Sequence, residues 1–354
     1  MSTDAQRSRC RERVLALAAS SAGSVELRLD VVQLLKRTIG FDRWCWSVGD
    51  PDSLLAGGDL AEADLWPVMP RLFALEQWDE SNAPHVLARR RRPVGSLNET
   101  TDGDLARSRC WDECLRLHGV GDQATVVLRD TYGAWGYLKA WRNREDRPFA
   151  TEDLRLLEDV SPGLGTALRR RAVGPTVFEP AEAPTERPAG VLILDAELRP
   201  RSSTALAQAW LEVLPGAAIA ERRGYLPQTV YAVAARARAA ACLSVAELAA
   251  RLRARTMDGR WVVIEAAPLE GVDVGLIAVT LRAATSAEVL GLLSRAYALT
   301  PRESQVLQLV IAGLPTASIA ERLYISTNTL QDHLKAIFDK VGVHNRRELI
   351  RRAV

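Results

Sequence analysis

Lysine is nearly missing from this sequence. It stands only at Lys36, Lys139, Lys335 and Lys340, so 42 of the 46 cationic residues are arginine. Arginine codons are GC-rich, which points to a GC-rich bacterial genome. Long apolar runs are missing too. The longest, near Val191–Leu194 and Val274–Leu281, have the length of strands and fall short of the ~18 residues that cross a bilayer. The first residues, Met1-Ser2-Thr3-Asp4, are soon followed by Arg7-Ser8-Arg9-Cys10-Arg11-Glu12-Arg13, with no apolar signal core before a small-residue cleavage site. Five irregularly spaced cysteines make no disulfide framework. Together these absences lead to the expectation of a cytoplasmic protein with no membrane partner.

Other absences narrow the function. The formal net charge is only +2, so no global basic field announces nucleic acid, and any such signal must be local. There is no Gly-x4-Gly-Lys-Ser/Thr loop to cradle phosphates, which excludes an ATP-driven regulator of that kind. The chain opens on helical patterning, whereas a phosphoacceptor receiver opens on a strand ending in acidic residues. Upstream of the last segment the only histidines are His85 and His118, and neither lies in a nucleophile or metal motif. The expectation is therefore a protein that is not an enzyme and needs no metal or cofactor.

What is present is ordinary globular composition, 47% apolar and 25% charged, in a chain long enough for two or three domains. A linker is expected over 173–188, where Pro175, Pro180, Pro184 and Pro188 remove backbone donors and favour extended chain. Before it, 10–172 reads as helix, sheet, helix. Val14, Leu15 and Leu17, then Leu27, Val31, Leu34 and Leu35, recur at helical spacing. Arg43–Val48, Ala124–Leu128 and Trp135–Trp141 read as strands, the last two joined through Asp130-Thr131-Tyr132-Gly133 as a hairpin. Asp153–Arg171 reads as a helix interrupted or kinked at Pro162. After the linker, 189–283 opens on a strand at Gly190–Asp195. It continues with helices over Thr229–Ala241 and Ser244–Leu252 and ends on strands over Arg260–Ala266 and Val274–Leu281. Both segments are α+β. A connecting helix over 284–298 carries an apolar stripe of Val289, Leu290, Leu293, Ala296 and Tyr297. That stripe suits either a dimer seam or a clamp onto the first helix of the last segment.

The last segment, 299–354, is almost wholly helical. Thr300-Pro301-Arg302-Glu303 holds every element of a helix start: a capping hydroxyl, proline at the first helical position and a glutamate that reaches back. Val306, Leu307, Leu309 and Val310 form its buried stripe, and Gly313 stops it. A short helix, Ala317–Tyr324, turns inward on Ile319, Ala320 and Leu323. Ile325-Ser326 makes a tight turn, and Ser326 caps a third helix over Thr327–Val341 whose core face is Leu330, Leu334, Ile337 and Phe338. Gly342 ends that helix, and Asn345 with Glu348 starts a fourth. Two short helices joined by a tight turn form a helix-turn-helix. The outward residues of the third helix, Thr327, Asn328, Gln331, Asp332 and Lys335, suit base edges and phosphates. Eight Lys/Arg against five Asp/Glu in 299–354 exceed the net charge of the whole chain, a modest phosphate footprint.

Leu299-Thr300-Pro301-Arg302-Glu303, Val306-Leu307, Gly313, Ile319-Ala320-Glu321-Arg322-Leu323, Ile325-Ser326, Thr329-Leu330, His333 and Arg346-Arg347-Glu348-Leu349 together resemble the LuxR/GerE-type DNA-binding domain. The resemblance runs through the whole final segment. It implies an all-α four-helix domain whose third helix enters the major groove of double-stranded DNA, usually from a homodimer. It also implies DNA contacts from Thr316, Ser326, Thr327, Asn328, Thr329, Gln331, Asp332, Lys335, Lys340, Arg346 and Arg347. Asp332 departs from the family, many of whose members carry lysine or valine near that position. A carboxylate repels phosphate and could accept only from a cytosine amine. Contact with RNA polymerase is a further expectation, and the alternative is a regulator acting mainly through protein partners.

Upstream, Trp135-Gly136-Tyr137-Leu138 with Pro148-Phe149 and the helix from Asp153 resemble a GAF domain. Gly190–Asp195 with Asp258-Gly259-Arg260-Trp261 and Ala266-Ala267-Pro268-Leu269 resemble a PAS-like domain. These resemblances imply sensing of a small-molecule or protein effector, or dimerisation. Trp44, Trp46, Trp135 and Tyr137 suit a small-molecule pocket, as they suit ordinary core or dimer packing. Cys110, Cys114 and His118 recur every fourth residue, which would put them on one helix face, but no fourth ligand stands out for a structural zinc site. Arg89–Arg92 reads as a solvated basic loop.

Overall fold

The computed structural model describes residues 3–79, 81–173, 187–243, 249–271 and 275–353. Most of the expected 173–188 linker lies outside the described residues. The chain divides into two compact units, one of Met1–Arg171 and Thr176–Ala283, the other of Ala172–Pro175 and Ala284–Val354.

The first unit opens with α1 (Thr3–Ala19) and α2 (Ser24–Ile39). Then come β1 (Arg43–Gly49), β2 (Ala56–Ala61), α3 (Met69–Glu76), α4 (Pro84–Leu87), β3 (Val94–Ser96), α5 (Leu97–Thr100), α6 (Arg109–Glu113), β4 (Val120–Asp130), β5 (Gly133–Asn143) and α7 (Thr151–Ala172). The strands form one antiparallel sheet in the order β2-β1-β5-β4-β3. The expected hairpin is β4–β5, with Asp130 opposite Gly133. Because side chains alternate across a strand, the sheet carries two cores. Cys45, Val127, Tyr137 and Trp141 line one face, against α3. Trp44 and Trp46, paired with Ala140 and Leu138, line the other, which α7 covers.

Of the interruption or kink expected at Pro162, the interruption does not occur: α7 is continuous from Thr151 to Ala172. Proline removes one helical N–H, but tertiary contacts hold the helix on both sides of it. Ser161 Oγ donates to the Val127 carbonyl at 2.7 Å. Asp153, fully buried, pairs with Arg7 at 2.8 Å and Arg142 at 3.2 Å.

After the linker come β6 (Gly190–Leu194), β7 (Pro200–Ser203), α8 (Ala205–Leu211), α9 (Ala217–Arg222), α10 (Gln228–Leu243), β8 (Arg251–Arg255), β9 (Trp261–Pro268) and β10 (Ile277–Ala283). These strands form a second antiparallel sheet in the order β7-β6-β10-β9-β8, so each sheet runs second, first, fifth, fourth, third strand in its own counting. The helix expected over Ser244–Leu252 is not continued to its end: 244–248 lie outside the described residues, and Arg251 and Leu252 belong to β8. Alternation of Leu252 and Ala254 inward with arginines outward is a strand pattern. Of the strand expected over Val274–Leu281, residue 274 is outside the described set and the strand begins at Ile277.

The two sheets share one hydrophobic core, to which Tyr137 contributes from the first sheet, Leu72 and Phe73 from α3, and Leu252, Ile264 and Val279 from the second sheet. Helix α10 packs against both α3 and β9. Arg253 of β8 fixes the junction through Asp50, whose Oδ2 accepts from the Arg253 amide and Nε, each at 2.9 Å, while Nη2 reaches Oδ1 at 2.7 Å.

The second unit is helical: α11 (Ser286–Ala296), α12 (Pro301–Ile311), α13 (Thr316–Arg322), α14 (Thr327–Val341) and α15 (Arg346–Ala353). Leu290 of α11 and Tyr297 just after it pack onto the core formed by α12 to α15, and α11 lies against α12 and α15. No described helix is long and apolar enough to cross a membrane.

Candidate nucleic-acid interface

Helix α12 begins with the expected capping box. Thr300 Oγ1 accepts from the Glu303 amide at 3.2 Å, and Glu303 Oε2 accepts from the Thr300 amide at 2.7 Å. Val306, Leu307 and Val310 are buried below it, with Leu309 half-buried. Ser326 Oγ accepts from the Thr329 amide at 3.1 Å and starts α14. Gly342, at φ 71°, ends it in the left-handed conformation that glycine adopts without strain. Asn345 Oδ1 accepts from the Glu348 amide at 2.9 Å and opens α15.

These caps fix which face of α14 meets solvent. Leu330, Leu334, Ile337 and Val341 are buried. Thr327, Asn328, Gln331, Asp332 and Lys335 are all exposed. Their spacing puts them in one row along the helix. The row offers hydroxyl, amide, carboxylate and ammonium groups, the set that reads base edges and holds phosphates. Asp332 has no ion-pair or hydrogen-bond partner among the described residues, Lys335 included.

The cations expected to meet DNA divide into two groups. Lys340 Nζ donates to Glu303 Oε2 at 2.6 Å. Burial pushes the Glu303 carboxyl up, but Lys340 and the Thr300 amide outweigh that and hold it below its ordinary value. Arg346 donates to the carbonyls of Val310, at 3.3 Å, and Leu314, closing the end of α12. These two are engaged within the unit. Lys335 and Arg347 are exposed and have no partner among the described residues. Thr316 is the half-buried first residue of α13, and Ser326 and Thr329 are hydrogen-bonded to each other at 2.9 Å.

Two further residues stand out here that sequence reasoning does not single out. Arg322 ends α13, exposed and without a partner among the described residues. Tyr324, expected to close that helix, lies instead in the turn at φ 54° and is 96% exposed. A bulky residue in the left-handed region is uncommon, and nothing in local helical periodicity marks it.

The upstream candidates do not converge on one site. Trp44 and Trp46 lie on the sheet face opposite Tyr137, so the four aromatics do not share one cavity. Trp135 is buried and donates from Nε1 to Asp130 at 3.0 Å. The cavity beside Tyr137, lined also by Cys45, Ser47, Glu76 and Lys139, holds about 10 Å³, room for about one water molecule. Cys110, Cys114 and His118 do not share a helix face: α6 ends at Glu113, Cys114 is its cap, and a 3-10 turn comes next. The two cysteines are buried and His118 is exposed. Burial comes first in raising both thiols, to about 11 at Cys114. No group of three metal-binding side chains occurs among the described residues. Burial, then the Arg236 charge, lowers His85 to about 4 and keeps it neutral. Arg92 of the basic loop pairs with Glu99 and Glu158.

Residues 297–353 match the GerE family, bacterial regulatory proteins of the luxR family. The transcriptional regulatory protein DesR of Bacillus subtilis is 42% identical over 62 residues, 18% of this chain and 31% of DesR. A Mycobacterium tuberculosis protein assigned to the HTH-type transcriptional regulators is 42% identical over 52 residues, 15% of this chain and 6% of that protein. The chain thus covers less than a third of the length of these relatives. The crystal structure of Escherichia coli SdiA aligns over 97% of this chain and 94% of its own at 13% identity, with a TM-score of 0.35.

Proposed function

From the luxR-family helix-turn-helix domain at residues 297–353 we infer that this chain is a DNA-binding transcription regulator. The single observation that carries the reading is the exposed row Thr327, Asn328, Gln331, Asp332 and Lys335 on α14 of that domain. In the proposed mechanism α14 enters the major groove. Asn328 and Gln331 meet base edges, Lys335 and Arg347 meet phosphates, and the α14 N-terminus approaches the backbone. Two copies bind a two-fold site as a homodimer in the cytoplasm, in contact with RNA polymerase. The first unit, with its two helix-flanked antiparallel sheets, acts as a pair of GAF-like and PAS-like sensory modules. An effector switches the protein only by binding two arrangements of the chain with different affinity.

Selection of DNA sites from random sequence, followed by anisotropy with the full chain across a salt series, tests this. The expected result is one palindromic site whose affinity falls steeply with salt as counterions are released. Gln331→Ala should relax preference at one base position by ~1–3 kcal/mol. Binding no tighter than to random DNA overturns the reading and favours a regulator that acts through protein partners.

A further inference from the structure

We propose that the groove between α3 and the β6–β7 turn of the first unit is a binding site for small organic anions with a flat apolar body and a carboxylate head. The groove encloses about 660 Å³, within the range of small-molecule sites, ~300–1,000 Å³. Both halves of the unit build it: α3 supplies Arg71, the β6–β7 turn supplies Glu197 and Arg199, and α10 with the loop before it supplies Tyr225, Tyr231 and Arg238.

Charge sets the sign of the ligand. Three guanidinium groups line the groove against one carboxylate, Glu197. Arg71 is already paired with Glu113, outside the groove. Arg238 donates to the Ala196 carbonyl and so ties α10 to the β6–β7 turn. Arg199 is exposed, and its guanidinium has no partner among the described residues. It also stands on a turn that cannot easily move. Asp195 Oδ1 accepts from the amides of Glu197 at 3.0 Å and Arg199 at 2.9 Å, and Leu198 between them is buried at φ 63°. A guanidinium presented from a fixed turn loses little freedom on binding, and its planar fork matches a carboxylate.

The apolar wall sets the body. Tyr225 rests against Trp66 with ring centroids 6.5 Å apart, which fixes a flat face. Tyr231 hydroxyl oxygen accepts from the Leu226 amide at 3.1 Å, leaving its O–H to donate. Pro70 adds a second rigid apolar surface. A flat ring between such surfaces, with its carboxylate toward Arg199, occupies part of the groove and touches α3 and the β6–β7 turn together. Such a ligand stabilises the first unit by mass action. That it is the effector rests on the proposed sensory role; that it binds does not.

Isothermal titration and thermal unfolding of the full chain with 2-naphthoate and cinnamate, each against its neutral amide, test the proposal. The expected result is saturable one-to-one binding of at least one acid, with its amide about tenfold weaker or more. Arg199→Gln should weaken the acid by a similar factor and leave unliganded thermal unfolding unchanged, because the side chain is exposed. No saturable binding of either acid, equal binding of acid and amide, or an indifferent Arg199→Gln overturns the site. DNA binding is measured on the same preparation. If it persists while acid binding fails, the groove alone is refuted. If it fails while acid binding persists, the regulator reading alone is refuted.

Discussion

Lys335 and Lys340 lie on one helix, five residues apart, and face different tasks. Lys335 is exposed without a partner among the described residues, whereas Lys340 neutralises the buried side chain of Glu303 at 2.6 Å. Lys335→Ala is expected to weaken DNA binding across all sequences and to reduce the salt slope by ~0.9 for the lost phosphate contact. Lys340→Ala is expected to leave the salt slope unchanged and to cost about 1–2 kcal/mol of stability, since Glu303 then keeps its charge without its partner. Parallel salt titrations and denaturant melts of the two variants check this; a reduced slope for Lys340→Ala would show that it reaches phosphate. At this scale the sequence separates caps from core well. Thr300, Ser326 and Asn345 act within three residues of themselves, so local order contains their roles. The commitments of Lys340 and Arg346 are not local. Their partners lie 37 and 36 residues away, and by residue type alone the cations look alike.

Elements whose pattern is local are legible, and those defined by a neighbour are not. The β4–β5 hairpin and the helices of the second unit emerge from periodicity and turn residues. Strand β2, Ala56-Gly57-Gly58-Asp59-Leu60-Ala61, has little strand propensity and exists because β1 pairs with it. Strand β8 does alternate, but beside an alanine-rich helix its alternation reads as helical. Helix α7 shows the same contest with a sign that can be measured. By propensity, Gly165→Ala should stabilise a helix by ~1 kcal/mol. A Cβ there would lie 2.5 Å from the Arg129 carbonyl carbon and 2.8 Å from its nitrogen, and backbone of β4 cannot rotate away. Overpacking of ~1–3 kcal/mol or more should win. The expected outcome is a variant destabilised by about 1–2 kcal/mol in denaturant melts, and a stabilised variant would mean that α7 does not press on β4 so closely.

On the scale of the molecule, two sequence segments on either side of a proline-rich stretch form one unit, which neither segment announces alone. Each has its own sheet, and the shared core appears only when α10 sits between them. The strongest polar link is Asp50 with Arg253, whose side chains are 2% and 8% exposed. Burial alone would lower the Arg253 guanidinium, but the hydrogen bonds and charge of Asp50 outweigh it and hold the residue more firmly charged than usual. Removing Asp50 leaves Arg253 charged and buried with only Asp52 beside it, a cost of at most the ~3–5 kcal/mol of a broken buried pair. Asp52 also touches Arg253, but it is half exposed, so its loss should cost no more than ~1 kcal/mol. Asp50→Ala is therefore expected to lower the thermal midpoint of the first unit and to split its calorimetric transition, as the two sheets lose their common fastening. Asp52→Ala should leave one transition near the original midpoint. If the two variants melt alike and without splitting, the shared apolar core alone couples the halves, and the buried ion pair is incidental to their union.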